Sequence, residues 1–163
     1  MTSPQAHHDP GHQQRLGTVL VGLQFGLIAS VGALAARAFI AGSAPAGAWA
    51  AAVSGGLLGA WALLSHPRGN FNIRPTPHEG GRLVSHGPYR WIRHPMYSAV
   101  ALCAAAGAWA AAGTWGGWGW LLTAGLLAVL WTKAVLEERW MALQHADYAA
   151  YQSVTKRFIP GLL

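Results

Sequence analysis

The chain has 163 residues, 53% of them apolar and 10% charged, a formal net charge of +6 at pH 7 and a single cysteine. Globular proteins carry about 25% charged residues, so 11 basic and 5 acidic side chains exclude an ordinary water-soluble surface, and the length suits one domain rather than two. The basic excess reads as topology signals beside anionic headgroups, not as a nucleic-acid footprint, and one cysteine excludes an internal disulfide.

In chain order, residues 1–15 are polar and include His7, His8 and His12. They are expected to form a disordered tail ahead of a single domain over residues 16–163, with no metal site. A membrane-crossing helix needs about 20 apolar residues. Four runs approach that length, at about residues 17–36, 47–64, 95–112 and 117–136. The first is too long for the 7–15-residue apolar core of a secretory signal and is read as an anchor. Arg37, at its end, is expected to snorkel to the surface. Cys103 lies in an Ala-rich run, where a packed small side chain is expected rather than a reactive thiolate.

The loops orient the spans. Gly42–Ala46 and Gly113–Gly116 carry no charge, whereas Ser65–His94 carries Arg68, Arg74, Arg82, Arg90 and Arg93 against Glu79. Arg15 precedes the first span, and Arg139, Lys156 and Arg157 follow the fourth. The positive-inside rule places the central loop and both termini in the cytoplasm, in a cell inner membrane. Trp49, Trp115, Trp118 and Trp120 then fall near the outer boundary and Trp61, Trp91 and Trp131 near the inner one, as amphipathic rings prefer. The fold class is all-α: a polytopic membrane protein of about four spans, with spans three and four forming a hairpin of small residues.

The outer loops are too short to build a site, so chemistry belongs to the central loop and the tail, which share the cytoplasmic side. The loop ends Gly87-Pro88-Tyr89-Arg90-Trp91-Ile92-Arg93-His94-Pro95-Met96-Tyr97. His94 precedes proline and should be extended; Pro95 suits the first position of span three. The open N–H groups of that helix, beside Arg93, make a candidate site for a carboxylate or phosphate. The alternative is that the arginines serve only to hold the loop inside. In the tail, Glu137 has Lys133 four residues earlier on the same face, whereas Glu138 has no basic residue three or four positions away. Glu138 is therefore the better candidate to face a ligand, because a carboxylate at the end of an apolar span is costly unless used or paired. Continued as one amphipathic helix, Glu137, Met141, His145 and Tyr148 lie on one side, and Leu136, Trp140, Leu143, Ala150 and Val154 on another. His145 is expected to be interfacial rather than a base.

The same residues carry a resemblance. The stretch from Gly80 to Tyr97 resembles the Gly-Pro-Tyr…Arg-His-Pro-x-Tyr signature of the isoprenylcysteine carboxyl methyltransferase family, to which phospholipid methyltransferases are related. The tail, Glu137-Glu138…Tyr148…Tyr151…Arg157-Phe158-Ile159-Pro160, is similar to that family's C-terminal segment. The resemblance spans roughly residues 57–160. It implies S-adenosylmethionine as methyl donor at the cytoplasmic membrane face, with Tyr89, Arg93, His94, Pro95, Tyr97, Glu137, Glu138 and Tyr148 as cofactor-binding candidates and Glu138 and Arg157 as catalytic ones. The implied acceptor is a lipophilic or amphipathic carboxylate, thiol or lipid amine. Two other readings stay open: an NADPH-dependent reductase related to membrane sterol reductases, which adjacent acids disfavour by repelling phosphates, and a non-catalytic membrane binding or assembly protein.

Overall fold

The structure is a computed structural model that describes residues 10–67 and 83–163. Among these the chain is helical: α1 (Pro10–Ile40), α2 (Ala46–Leu64), a 3-10 turn at Gly87–Arg90, α3 (Pro95–Trp115), α4 (Trp118–Gln144) and α5 (Tyr148–Val154). Four of these helices are long and apolar enough to cross a membrane, and the chain is an integral membrane protein. The first three expected runs each lie within one of them and the fourth begins one residue ahead of α4; the links are residues 41–45 and 116–117, so Gly113–Trp115, expected in the second link, belong to α3.

The boundaries differ in two instructive places. Residues 10–16, expected mostly in a polar tail, belong to α1, whose first residue is Pro10; proline is preset for a first helical turn and loses no hydrogen bond there. His7 and His8 lie outside the described residues, as do Arg68, Arg74, Glu79 and Arg82. Span four runs on to Gln144, past its expected end at 136, and then breaks. The segment His145–Asp147 separates α4 from α5, so the expected continuous amphipathic helix is two pieces and Tyr148 is not held beside Glu137 by helical periodicity.

Local rules account for the turns. α1 ends where Gly42 takes φ 67°, a conformation that costs glycine nothing, while Ser43 N donates back to Ala38 O at 2.9 Å, closing the helix. Arg37 is exposed in the last turn of α1.

Helix α3 is the centre of the bundle: α2 packs along one side of it, and α1 packs against both α3 and α4. Its buried positions are Pro95 and small residues: Ala99, Ala104, Ala106, Gly107, Ala108, Ala110 and Ala111. In lipid, where hydrocarbon gains nothing by leaving one apolar surface for another, such residues let backbones approach and van der Waals contact accumulate. Gly55 shows how close α2 comes, since a Cβ there would sit 2.6 Å from Cys103 Sγ and 3.0 Å from Ala99 O. Cys103 thus meets α2 as a small side chain, its Sγ 3.8 Å from Ala52 O. Large apolar side chains point outward instead, among them Leu23, Phe25, Leu57, Leu121 and Leu127, together with Trp49, Trp61, Trp118, Trp120 and Trp131. On a soluble monomer that surface would be an aggregation liability; here it is the lipid-facing wall.

A buried polar contact joins α1 to α4. Lys133 of α4 and Gln24 of α1 are both buried, and Lys133 Nζ donates to Gln24 Oε1 at 2.6 Å. This ties α1 to the end of α4 where the acidic pair stands.

Candidate active site

The start of α3 and the end of α4 lie side by side, and the chain after α5 folds back across them. Main-chain bonds fasten it there. Lys156 N donates to Trp91 O at 3.1 Å, Arg93 N to Lys156 O at 2.7 Å and His94 N to Arg157 O at 3.0 Å. The result is one parallel bridge between Ile92 and Lys156. Ser98 Oγ adds a bond to Phe158 O at 2.6 Å. Loop and tail meet on one side, as the charge argument required, and Arg157 is carried to the Arg93–His94 segment.

Glu138 sits where these pieces converge. Arg93 Nε donates to its Oε1 at 2.9 Å, Arg157 Nε to Oε1 at 3.0 Å and Arg157 Nη2 to Oε2 at 2.6 Å. His94 Nε2 lies 3.2 Å from Oε1, and Gln152 Nε2 lies 3.5 Å from Oε2. The side chain is 7% exposed. This corrects the expectation that Glu138 lacks a cation and turns to a ligand: its own helix offers none, but the loop and the tail bring two guanidiniums and an imidazole. It also corrects the expected anion site. Arg93 is not directed at an open helix start, because its Nη1 is spent on Thr155 O at 2.5 Å and Gln152 O at 3.2 Å, and Tyr97 N and Ser98 N already bond His94 O.

Glu137 is the more open carboxylate, its side chain 24% exposed. It accepts a short hydrogen bond from Tyr97 Oη and lies 3.5 Å from His94 Nδ1. His94 therefore stands between the two acids. Burial disfavours its charged form, but the hydrogen bonds to Glu137 and Glu138 outweigh burial and raise its pKa. Its ring stacks on Tyr97 at 5.4 Å between centroids, and Lys133 Nζ lies 5.2 Å from the centre of the same Tyr97 ring. Pro95 is buried at the first position of α3, which fixes the spacing of His94 and Tyr97. Arg157, held by Glu138, has its pKa raised mainly by that hydrogen bond, keeps 22% exposure and lies 4.7 Å from the Trp131 ring centre.

Tyr89 and Tyr148 form an aromatic flank. Tyr89 Oη is 2.7 Å from His66 Nε2, and Tyr89 O accepts from Tyr151 Oη at 2.7 Å. Tyr148 is buried, its ring 5.9 Å from that of Tyr151. Burial raises the pKa of both Tyr89 and Tyr148 and pushes that of Tyr151 up to about 12, so all three stay neutral. Gln24, His66 and Gln152 escaped the sequence reading. Gln24 had one signal, an amide inside an otherwise apolar run; the other two had none.

A cavity of about 780 Å³ adjoins the cluster, floored by Ser98, Ala101 and Ala105 of α3 and walled by Trp61 and Trp131. Tyr97 and Phe158 are common to its lining and to the polar site. Among the described residues no group of His, Cys, Asp or Glu is arranged to hold a metal.

The phospholipid methyltransferase family model matches residues 68–147, a stretch that includes Arg93, His94, Pro95, Tyr97, Glu137 and Glu138. No curated protein and no solved structure matches the chain. The matched segment supplies the start of α3, the hairpin and the acidic end of α4, and so this membrane protein carries a phospholipid methyltransferase domain over residues 68–147.

Proposed function

We propose that the chain transfers a methyl group from S-adenosylmethionine to a lipophilic or amphipathic acceptor at the cytoplasmic face of the membrane. The observation that carries the reading is the division of labour between adjacent acids: Glu138 is enclosed by Arg93, His94 and Arg157, while Glu137 stays open beside Tyr97 and His94. The residues fit that donor. Its ammonium needs an acidic partner, and Glu137 has one oxygen held by Tyr97 and exposure to spare. Its carboxylate needs a cation, and Arg157 is the partly exposed guanidinium of the cluster. Its sulfonium is attracted to aromatic rings, which the flank at Tyr89 supplies.

S-adenosylmethionine brings an electrophilic methyl group on sulfur. The protein's share is positioning and exclusion of water, because a displacement gains most of its rate from correctly held reactants in a dry site. Glu138 fixes Arg157 and Arg93 and joins loop to tail. His94 and Tyr97 orient Glu137. An acceptor that is already a thiolate or carboxylate needs no base.

Calorimetry in mild detergent is expected to show S-adenosylhomocysteine binding and no NADPH binding. Tight NADPH binding without a response to S-adenosylhomocysteine would replace this reading with a reductase, and no response to either nucleotide would leave a binding or assembly protein.

The cytoplasmic placement rests on loop charge. In a Cys103→Ala background, cysteines at Gly42 and Gly116 are expected to react with an impermeant thiol reagent in intact cells, and one at Arg90 to stay unlabelled. Labelling at residue 90 alone would invert the topology.

A further inference from the structure

Lys133 is the most deeply buried charged side chain among the described residues, 1% exposed and inside α4, which is long and apolar enough to cross a membrane. A cation at such a place is costly unless it is held or used. About 6 Å of helix, four residues at 1.5 Å each, separates it from Glu137, and the two charges are within electrostatic reach. Its Nζ donates to Gln24 Oε1 at 2.6 Å and lies 5.2 Å from the centre of the Tyr97 ring. The attraction between an ammonium and an aromatic ring is strongest where water is excluded.

Two observations set this contact apart from ordinary packing. The first is the partner. Gln24 is itself buried, at 7% exposure, in an otherwise apolar stretch of α1. An amide oxygen holds an ammonium without cancelling its charge, whereas a carboxylate there would neutralise it. Helix α1 seats the amide firmly. Leu27 and Ile28, one turn further on, pack against the cluster of Ala104, Leu126 and Leu130 that also receives Tyr97. Val31 approaches α3 so closely that a Cβ on Gly107 would sit 2.7 Å from Val31 Cγ1.

The second is where the charge stands. The Tyr97 ring has Lys133 beside it, His94 stacked on it and Glu137 on its hydroxyl. A cation at the ring draws electron density from the phenol and makes its O–H a better donor. The bond strengthened in this way is the one that aims Glu137.

We infer that Lys133 is a positioning residue for Glu137: from the buried seat that Gln24 provides, its ammonium acts through the Tyr97 ring on the hydroxyl that fixes the carboxylate. Helix α1, which lies outside the matched residues 68–147, thereby belongs to the site through Gln24. The effect on the donor's ammonium rests on the methyltransferase reading; the effect on Tyr97 does not.

The full chain in mild detergent, with its tyrosines labelled at Cζ, gives two measurements. Carbon NMR without ligand reads the Tyr97 hydroxyl, the resonance being assigned by its loss in Tyr97→Phe. Calorimetry compares S-adenosylhomocysteine with methylthioadenosine, which lacks the amino-acid end that Glu137 would meet. Lys133→Met is expected to move the Tyr97 resonance while leaving those of Tyr148 and Tyr151. It is also expected to weaken S-adenosylhomocysteine binding by about threefold to tenfold, the scale of a cation on an aromatic ring, with methylthioadenosine bound as before. Gln24→Glu is the sharper case. It keeps the contact between α1 and α4 but neutralises the ammonium, so it is expected to match Lys133→Met in both measurements, whereas a purely structural tie predicts parent values. Gln24→Leu combined with Lys133→Met removes the amide left without its ammonium; it is expected to recover stability and to recover neither the resonance nor the affinity.

Parent values in Gln24→Glu, recovered affinity in the double variant, or equal losses for both nucleotides would reduce Lys133 to a structural tie and overturn the inference. An unmoved Tyr97 resonance overturns it whatever the nucleotides do. A moved resonance in a protein that binds neither nucleotide would remove the donor reading alone, and S-adenosylhomocysteine binding unchanged in all three variants would remove the role of Lys133 alone.

Discussion

Glu138→Gln is expected to destabilise the folded protein by about 3–5 kcal/mol, the cost of breaking a buried ion pair from one side. The reason lies in what remains. Arg93 and Arg157 both aim at Glu138, and the side chains of Arg93 and Glu138 are 9% and 7% exposed. Glutamine keeps the shape and one acceptor oxygen but removes the charge, leaving two guanidiniums facing an amide. The same carboxylate joins α4 to the loop before α3 and to the tail, so the tail should loosen first. Chemical unfolding in mild detergent, read by far-UV circular dichroism, measures the loss, and limited proteolysis after Arg157 reads the tail. Removing Arg157 as well should recover part of the loss, because contacting residues are not additive. A Glu138→Gln protein as stable as the parent would show that the cluster contributes no fastening.

The spans were legible in the sequence because their signal is local. Twenty apolar residues in a row mean the same thing wherever they occur, and short links join α1 to α2 and α3 to α4 close to the uncharged segments, although Gly113–Trp115 are the last turn of α3. Their ends were less legible. Span four continues eight residues beyond the expected 136 to Gln144, since hydropathy stops where the membrane stops and a helix need not. The gathering of Arg93, His94, Tyr97, Glu137, Glu138 and Arg157 was legible to the level of segments. Their individual contacts were not. The argument for Glu138 used i,i+4 neighbours, which describe one isolated helix. Its partners come from 45 and 19 residues away in sequence, and Gln24 reaches Lys133 across 109. Contacts of that span depend on which helices pack and on where the tail returns, and no pattern within a single segment encodes either.

That reassignment changes which acid should matter for the donor. Glu137→Gln is expected to weaken S-adenosylhomocysteine binding by roughly 10- to 150-fold, the equivalent of losing a charge-assisted hydrogen bond of about 1.5–3 kcal/mol, with little loss of stability. Glu137 keeps 24% exposure and is positioned by groups that fix a carboxylate without neutralising it twice over: a tyrosine hydroxyl on one oxygen and one imidazole nitrogen at 3.5 Å from the other. Glu138, by contrast, has both oxygens engaged and little left to offer. Tyr97→Phe separates binding from orientation, because it removes the hydroxyl that aims Glu137 while leaving the charge in place; its effect on affinity should be smaller than that of Glu137→Gln and in the same direction. Calorimetry on all three proteins, compared at equal folded fraction by thermal melting, decides the matter. An affinity unchanged in Glu137→Gln would return the ligand-facing role to Glu138, and equal losses in Glu137→Gln and in a folded Glu138→Gln would mean that the pair meets the donor as a unit.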